Sequence, residues 1–154
     1  MASVRGGGPG VGGAAAALLA EAGATVIVAD VQPGKDGHAG RFAQHDVASE
    51  ADWKALLADV LSTEGRLDIL VNNAGDLVKR SPIAEASDEV IEQIIKVNIH
   101  TALYTTRACI PLPKLGVQPS LTNLSSVPAH PGGGNGAGMY APTHAARHQP
   151  AARF

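Results

Sequence analysis

The stretch Gly6-Gly7-Gly8-Pro9-Gly10-Val11-Gly12-Gly13 stands directly ahead of the Ala/Leu-rich run Ala14 to Ala22. Glycine at these spacings suits a phosphate cradle. Gly6 permits a tight turn, Gly10 lets the backbone approach a diphosphate, and Gly12 lets a helix pack closely on a sheet. The start of the helix then offers unpaired N–H groups and a partial positive charge to the anion. Asp30 follows 20 residues beyond Gly10, at the end of the β-branched run Thr25-Val-Ile-Val-Ala-Asp30. Its carboxylate suits the two hydroxyls of an adenosine ribose and repels a 2′-phosphate. No Arg or Lys immediately follows Asp30, so the expected cofactor is NAD and NADP is disfavoured. Val11 and Val31 fall beside these groups and complete the expected lining. Low-complexity Gly/Ala tracts also look like this, and an acid at a strand end also serves as a turn residue; the helix and strand context favours the cofactor.

The elements that must position these groups are legible in turn. Residues 2–5 make a short first strand, and a helix runs from about Val11 to Ala22, stopped by Gly23. Thr25 to Asp30 reads as a strand buried on both faces. Gln32 to Gly40 is turn-rich with no room for a full helix, and Arg41 to His45 makes a short strand. Ser49 caps a helix over Glu50 to Leu61, with Asp52 three residues on and Trp53, Leu56, Leu57, Val60 and Leu61 on one face. Gly65 closes it. Leu67 to Asn72 is another buried strand. Ser87 opens a long helical pattern through Val90, Ile91, Ile94 and Ile95 towards Cys109, ended by Pro111. Ser120 to Leu124 is a fifth strand. Strands alternating with helices give an α/β fold, a doubly wound parallel sheet with helices on both faces. Residues 1–128 read as the dinucleotide-binding domain. Residues 129–154, rich in Gly, Pro, His and Ala, carry no apolar period and read as a loop or tail.

Bulk composition narrows the partners. With 154 residues there is room for one sizeable core, and 45% hydrophobic against 17% charged residues suits a globular chain. Aromatics are only 3%, so that core must rest on Val, Ile, Leu and Ala. A net charge of −2 with no basic stripe argues against nucleic acid. No run approaches a membrane span, and Gly6 to Gly13 breaks what would otherwise resemble a secretory leader. The single Cys109 allows no internal disulfide and suits a reducing cytoplasm. No metal site is expected.

Taken in order, Gly-x-x-x-Gly-x-Gly at 6–12, Asp46-Val47, Asn72-Asn73-Ala74-Gly75, Asn98, Ser125-Ser126 and Tyr140 resemble the short-chain dehydrogenases/reductases. The resemblance spans roughly residues 3–144. It implies that Asp46 hydrogen-bonds the adenine amino group with the Val47 backbone beside it. Asn72, Ala74 and Gly75 would stabilise the central sheet and line the cofactor site, and Asn98 would kink a helix and hold a relay water. The implied chemistry is hydride transfer between nicotinamide and a secondary alcohol or ketone, with that small molecule as substrate. Ser126 matches the family's substrate-orienting Ser, and Tyr140 its proton-transferring Tyr.

The family's Lys, four residues past the Tyr, is replaced by His144. Lysine carries a permanent charge near neutral pH, whereas an ordinary imidazole is mostly neutral. Pro142 lies between Tyr140 and His144, and Pro150 forbids a long helix there. Arg5 stands where the family usually has Thr. The segment from Asp30 to Asp46 is too short for the usual second helix. The chain stops where the family continues with further strands and a substrate loop, so the sheet is expected to be incomplete at its C-terminal edge. That edge predicts association, including homo-oligomers. Three readings therefore stay open: an impaired NAD(P)-dependent oxidoreductase, a non-catalytic NAD-binding remnant, and a truncated or frame-shifted product without function.

Overall fold

The computed structural model describes residues 1–8, 10–32, 37–109, 115–134 and 136–148. The expectations attached to Pro111 and Pro150, and part of the turn after Gln32, lie outside these residues.

Five parallel strands form one sheet in the order β3-β2-β1-β4-β5. They are β1 (Ala2–Arg5), β2 (Val26–Asp30), β3 (Arg41–Gln44), β4 (Leu67–Asn72) and β5 (Leu115–Asn123). The central β1 is short but buried at every position, with Val4 opposite Val28 on one side and Val71 on the other. β-branched side chains on β2 and β4 fit this doubly covered setting, because both pleat faces lie in the core. The order reverses between β1 and β4, so the crevice above the C-terminal ends of the strands is the place where such a sheet receives a ligand.

Helix α1 (Val11–Glu21) covers one face, over Ala2, Val4, Val26, Val28 and Val71. It buries only Gly12 and Ala16 fully, leaving Leu18 65% exposed. Small residues let its backbone approach the sheet. Helix α2 (Glu50–Glu64) covers the other face with Leu56, Leu57 and Val60 over Ile27, Ala29, Leu67 and Leu70. Its ends follow the expected capping chemistry. Ser49 Oγ accepts a 3.2 Å hydrogen bond from Asp52 N, a cap worth about 1 kcal/mol, and Gly65 closes the helix at φ +71°. Leu61 is only half-buried, unlike the other four apolar residues of that face.

The long pattern after Ser87 forms α3 (Asp88–Ile95), a π-helical turn at Lys96–His100, and α4 (Thr101–Cys109). Among the described residues no helix joins β2 to β3, so β3 is a lightly covered edge, tied by the 2.6 Å Arg41–Asp59 ion pair. β5 is longer than the expected Ser120–Leu124 and pairs irregularly with β4 between Leu67 and Ile69, next to Pro119. The stretch after Pro128, read as loop or tail, contains α5 (Tyr140–Ala145) and a following 3-10 turn, Ala146–His148. Pro142 sits in the first turn of α5, where its missing N–H costs nothing. Ala141, Thr143, His144 and Arg147 are buried there. No repeating apolar face signals this segment because its buried positions are mostly small or polar.

Candidate cofactor-binding and catalytic site

The glycine loop has the geometry its residue types demand. Gly6 adopts φ +61° and Gly10 φ +103°, both left of what a side chain tolerates. A Cβ on Gly12 would overlap the Gly6 carbonyl oxygen, and one on Gly13 would overlap that of Gly8. Gly6 N donates to Ala29 O at 3.0 Å, and Asn73 Nδ2 donates to Gly6 O at 2.7 Å, fixing the turn from both sides. Helix α1 has no side-chain N-cap and no acid in its first turn, so no side chain of the helix itself balances the partial positive charge of its leading amides. Asp30 leans over the loop. Its Oδ2 accepts from Gly8 N at 3.1 Å and its Oδ1 from Gln32 N at 3.4 Å.

The other expected cofactor residues divide between surface and core. Asp46 is exposed, and its Oδ1 accepts from Ala48 N at 2.9 Å. With Val31, Gln44 and Asp52 it borders a groove of about 640 Å³ at the β3 edge. The Val47 carbonyl accepts from Trp53 Nε1 at 3.1 Å. Asn72 is fully buried; its Nδ2 donates to Asn123 Oδ1 at 2.8 Å, and its carbonyl accepts from Leu124 N at 2.9 Å. Ala74 packs its Cα against Gly6, where a side chain at position 6 would collide with it. Gly75 is exposed, and a Cβ there would lie 2.7 Å from Arg147 Nη1, 3.1 Å from Asn98 Oδ1 and 3.2 Å from the His144 ring.

Asn98 occupies the π-helical turn and is fully buried. Its Oδ1 accepts from Asp76 N at 3.0 Å, while Nδ2 donates to Asp76 O at 3.0 Å and Thr143 Oγ1 at 3.1 Å. The extra residue in that turn aims a polar side chain at the loop after β4 and at α5 together. Tyr140 and His144 meet ring to ring on α5, 4.2 Å between centroids. Ser125 Oγ donates to His144 O at 3.0 Å, whereas Ser126 precedes a short 3-10 turn in extended backbone, its hydroxyl making no cap bond.

Burial and the neighbouring Arg147 charge push the His144 pKa down to about 4, so the imidazole is neutral at pH 7. Neither of its nitrogens has a hydrogen-bond partner. Arg147, which the sequence reading passed over, is 1% exposed and donates Nη2 to Asn72 O at 3.0 Å. Its spacing held a signal: it lies three residues past His144 and seven past Tyr140, the period of one helix face. Arg5, at the position where the family usually has Thr, is accommodated inside the protein. It is fully buried, lies over the Trp53 ring, contacts His45 Nε2 at 3.0 Å and donates to Thr105 Oγ1 at 3.4 Å. Among the described residues no cluster of metal-ligating side chains exists, and no helix is long and apolar enough to cross a membrane.

A sheet of this order with a glycine turn between β1 and α1 defines a Rossmann-type dinucleotide-binding domain. Residues 7–150 match the family described as "Enoyl-(Acyl carrier protein) reductase". Cyclopentanol dehydrogenase of Comamonas testosteroni is 31% identical over 134 residues, covering 80% of this chain and 53% of that protein. The 2,5-dichloro-2,5-cyclohexadiene-1,4-diol dehydrogenase of Sphingobium indicum is 34% identical over 132 residues, with 80% and 53% covered. Among solved structures, NADH-dependent reductase A1-R′ complexed with NAD superposes with a TM-score of 0.84 at 28% identity, covering 94% of this chain and 66% of that one. A short-chain dehydrogenase from Streptomyces avermitilis also gives 0.84, at 26% identity, with 96% and 56% covered. The chain belongs to the short-chain dehydrogenase/reductase family of NAD(P)-dependent oxidoreductases. It spans about half the length of the curated relatives it matches.

Proposed function

We propose that this chain is an NAD-binding module of the short-chain dehydrogenase/reductase type whose hydride-transfer chemistry on secondary alcohols or ketones is impaired. The observation that carries the binding half is the carboxylate of Asp30 held beside a glycine turn in which Gly6, Gly12 and Gly13 leave no room for a side chain. In this reading Gly6, Gly10, Val11 and Gly12 cradle the diphosphate, Asp30 and Val31 take the adenosine ribose, and Asp46 with Val47 takes the adenine. Asn72, Ala74 and Gly75 line the path towards the nicotinamide. The residues fit the group: a Cβ at Gly6, Gly7, Gly12 or Gly13 would crowd its neighbours, and the start of α1 carries no side-chain cap. The carboxylate of Asp30, with no Arg or Lys immediately after it in the sequence, favours NAD over NADP.

When bound, the nicotinamide would supply or accept the hydride. The chain's part is to hold the substrate oxygen at Ser126 and to move a proton through Tyr140, with Asn98 ordering the relay behind it. The neutral His144 provides no cation there, which is the ground for expecting slow turnover or none. A soluble domain of this kind acts in the cytoplasm.

Fluorescence titration with NADH and with NADPH tests the reading. Saturable NADH binding, weaker NADPH binding, and reversal of that preference in Asp30→Arg are expected. No saturable signal with either cofactor up to millimolar concentration refutes it. Oxidation of cyclopentanol with NAD is expected to stay near background.

A further inference from the structure

Two histidines near the end of the chain serve neither the core nor the cofactor reading. His130 follows the 3-10 turn Val127–Ala129, and His148 ends the turn Ala146–His148 after α5. A glycine-rich run and α5 separate them in sequence, yet their ring centroids stand 5.2 Å apart, with the planes tilted by 30°. Both residues are exposed, so an ion in solvent reaches them.

Imidazole nitrogen is a good ligand for Cu2+, Ni2+ and Zn2+, whereas Mg2+ and Ca2+ take oxygen. Metal–nitrogen bonds of about 2.0–2.1 Å meeting at a tetrahedral angle place two ring centres roughly 5 Å apart, once the half-width of each ring is added. The spacing of His130 and His148 is that of two imidazoles sharing one ion. Among the described residues no group of three His, Cys, Asp or Glu is placed to hold a metal, so the pair would leave the other positions to water.

The backbone beneath the pair is already set. Ser125 Oγ donates to His144 O at 3.0 Å and Asn123 Nδ2 to Arg147 O at 3.3 Å, holding the two turns side by side. Only side-chain torsions remain to adjust, which keeps the cost of binding low. The cation next to His148 in sequence turns away: Arg147 is buried, with Nη2 on Asn72 O. Between the histidines lie Gly132, Gly133 and Gly136, all at positive φ, and then α5 with Tyr140. Ordering such a glycine-rich loop costs much entropy, and a link across its ends offsets part of that cost.

We propose that His130 and His148 form a two-histidine site for a nitrogen-seeking divalent transition metal, which clips the turn after Ser126 to the turn after α5. This does not depend on the NAD-binding reading.

Calorimetric titration of the untagged chain with nickel chloride tests it, with magnesium chloride as the oxygen-seeking comparison. One Ni2+ per chain is expected, and Mg2+ is expected to give no such uptake. His130→Gln and His148→Gln should each weaken Ni2+ binding roughly ten-fold or more, and the double variant little further, because one imidazole alone cannot chelate. Both positions are exposed, so the substitutions leave the core intact. His38→Gln, at an exposed histidine stacked on Phe42, should bind Ni2+ as wild type does. Amide hydrogen exchange across Tyr140–Ala145 should slow when Ni2+ is bound. Unchanged affinity in both single variants, losses that add in the double variant as for two separate sites, or equal uptake of Mg2+ overturns the proposal. So does Ni2+ held by both histidines with no change in exchange across α5, since such an ion clips nothing.

Discussion

A neutral imidazole packed against a buried guanidinium changes what a lysine at position 144 would do. His144 is 4% exposed and Arg147 1% exposed, so a second permanent charge at 144 would stand beside the first without water to screen it. His144→Lys alone is therefore expected to destabilise the chain by on the order of 3 kcal/mol, read as a lower urea midpoint, and to give no cyclopentanol oxidation above background. His144→Lys combined with Arg147→Leu removes the conflict and should recover most of that stability. A fully stable single variant would show that the two side chains do not face each other. Position 144 was legible in the sequence as a departure, because the spacing from Tyr140 is fixed by the helix. Arg147 was not, since an arginine in a segment full of Pro, Gly and His looks like a solvated tail residue until its depth is known. The same holds for Arg5. A charged side chain in the central strand is read as exposed or anomalous, and only the contact with Trp53 shows how it is accommodated.

Secondary-structure elements followed from sequence where their physics is local. The Ser49 cap, the Gly65 stop and the β-branched strands β2 and β4 depend on neighbours within a few residues. The π-helical turn at Asn98, helix α5 and the 3-10 turn after it are tied by long-range hydrogen bonds to Asp76, Ser125 and Asn123, which no spacing announces. The same long-range coupling ties β1, α2 and α4 together through Arg5, Trp53, His45 and Thr105. Burial, then the Arg5 charge, pushes the His45 pKa down to about 4, against weaker opposition from Asp52 and Asp46. The sign follows from the proton count. Between pH 6.5 and about 4 the unfolded chain binds a proton at this position and the folded chain does not, so stability is full above 6.5 and falls as pH drops. At about 1.36 kcal/mol per unit, His45 and His144 each contribute roughly 3 kcal/mol of that loss. Urea unfolding at pH 7.5 and pH 4.5 should show a steep decline, and His45→Gln should flatten it. An unchanged slope in that variant would mean His45 protonates freely in the folded state.

At the scale of the molecule, the family and the doubly wound sheet were legible because motif order and alternating strands carry them. The edges were less so. The sheet ends in β3 on one side and β5 on the other, and among the described residues neither has a strand beyond it. Such edges offer unpaired N–H and C=O groups to another chain. β3 is only four residues long and carries Arg41 in an ion pair, both of which discourage pairing. β5 is nine residues long; Pro119 and the irregular pairing near it blunt one part, but Ser120 to Asn123 stay in regular register with β4. Association should therefore run through β5 rather than β3. Light scattering at micromolar concentration is expected to show dimers or larger species for this chain. Thr122 is exposed on the regular stretch, so Thr122→Lys places a charge where a second strand would dock and should return the protein towards monomer. Gln44→Lys on the β3 edge should leave the distribution as it was. A wild-type monomer, or equal effects from both substitutions, would remove β5 as the route of association.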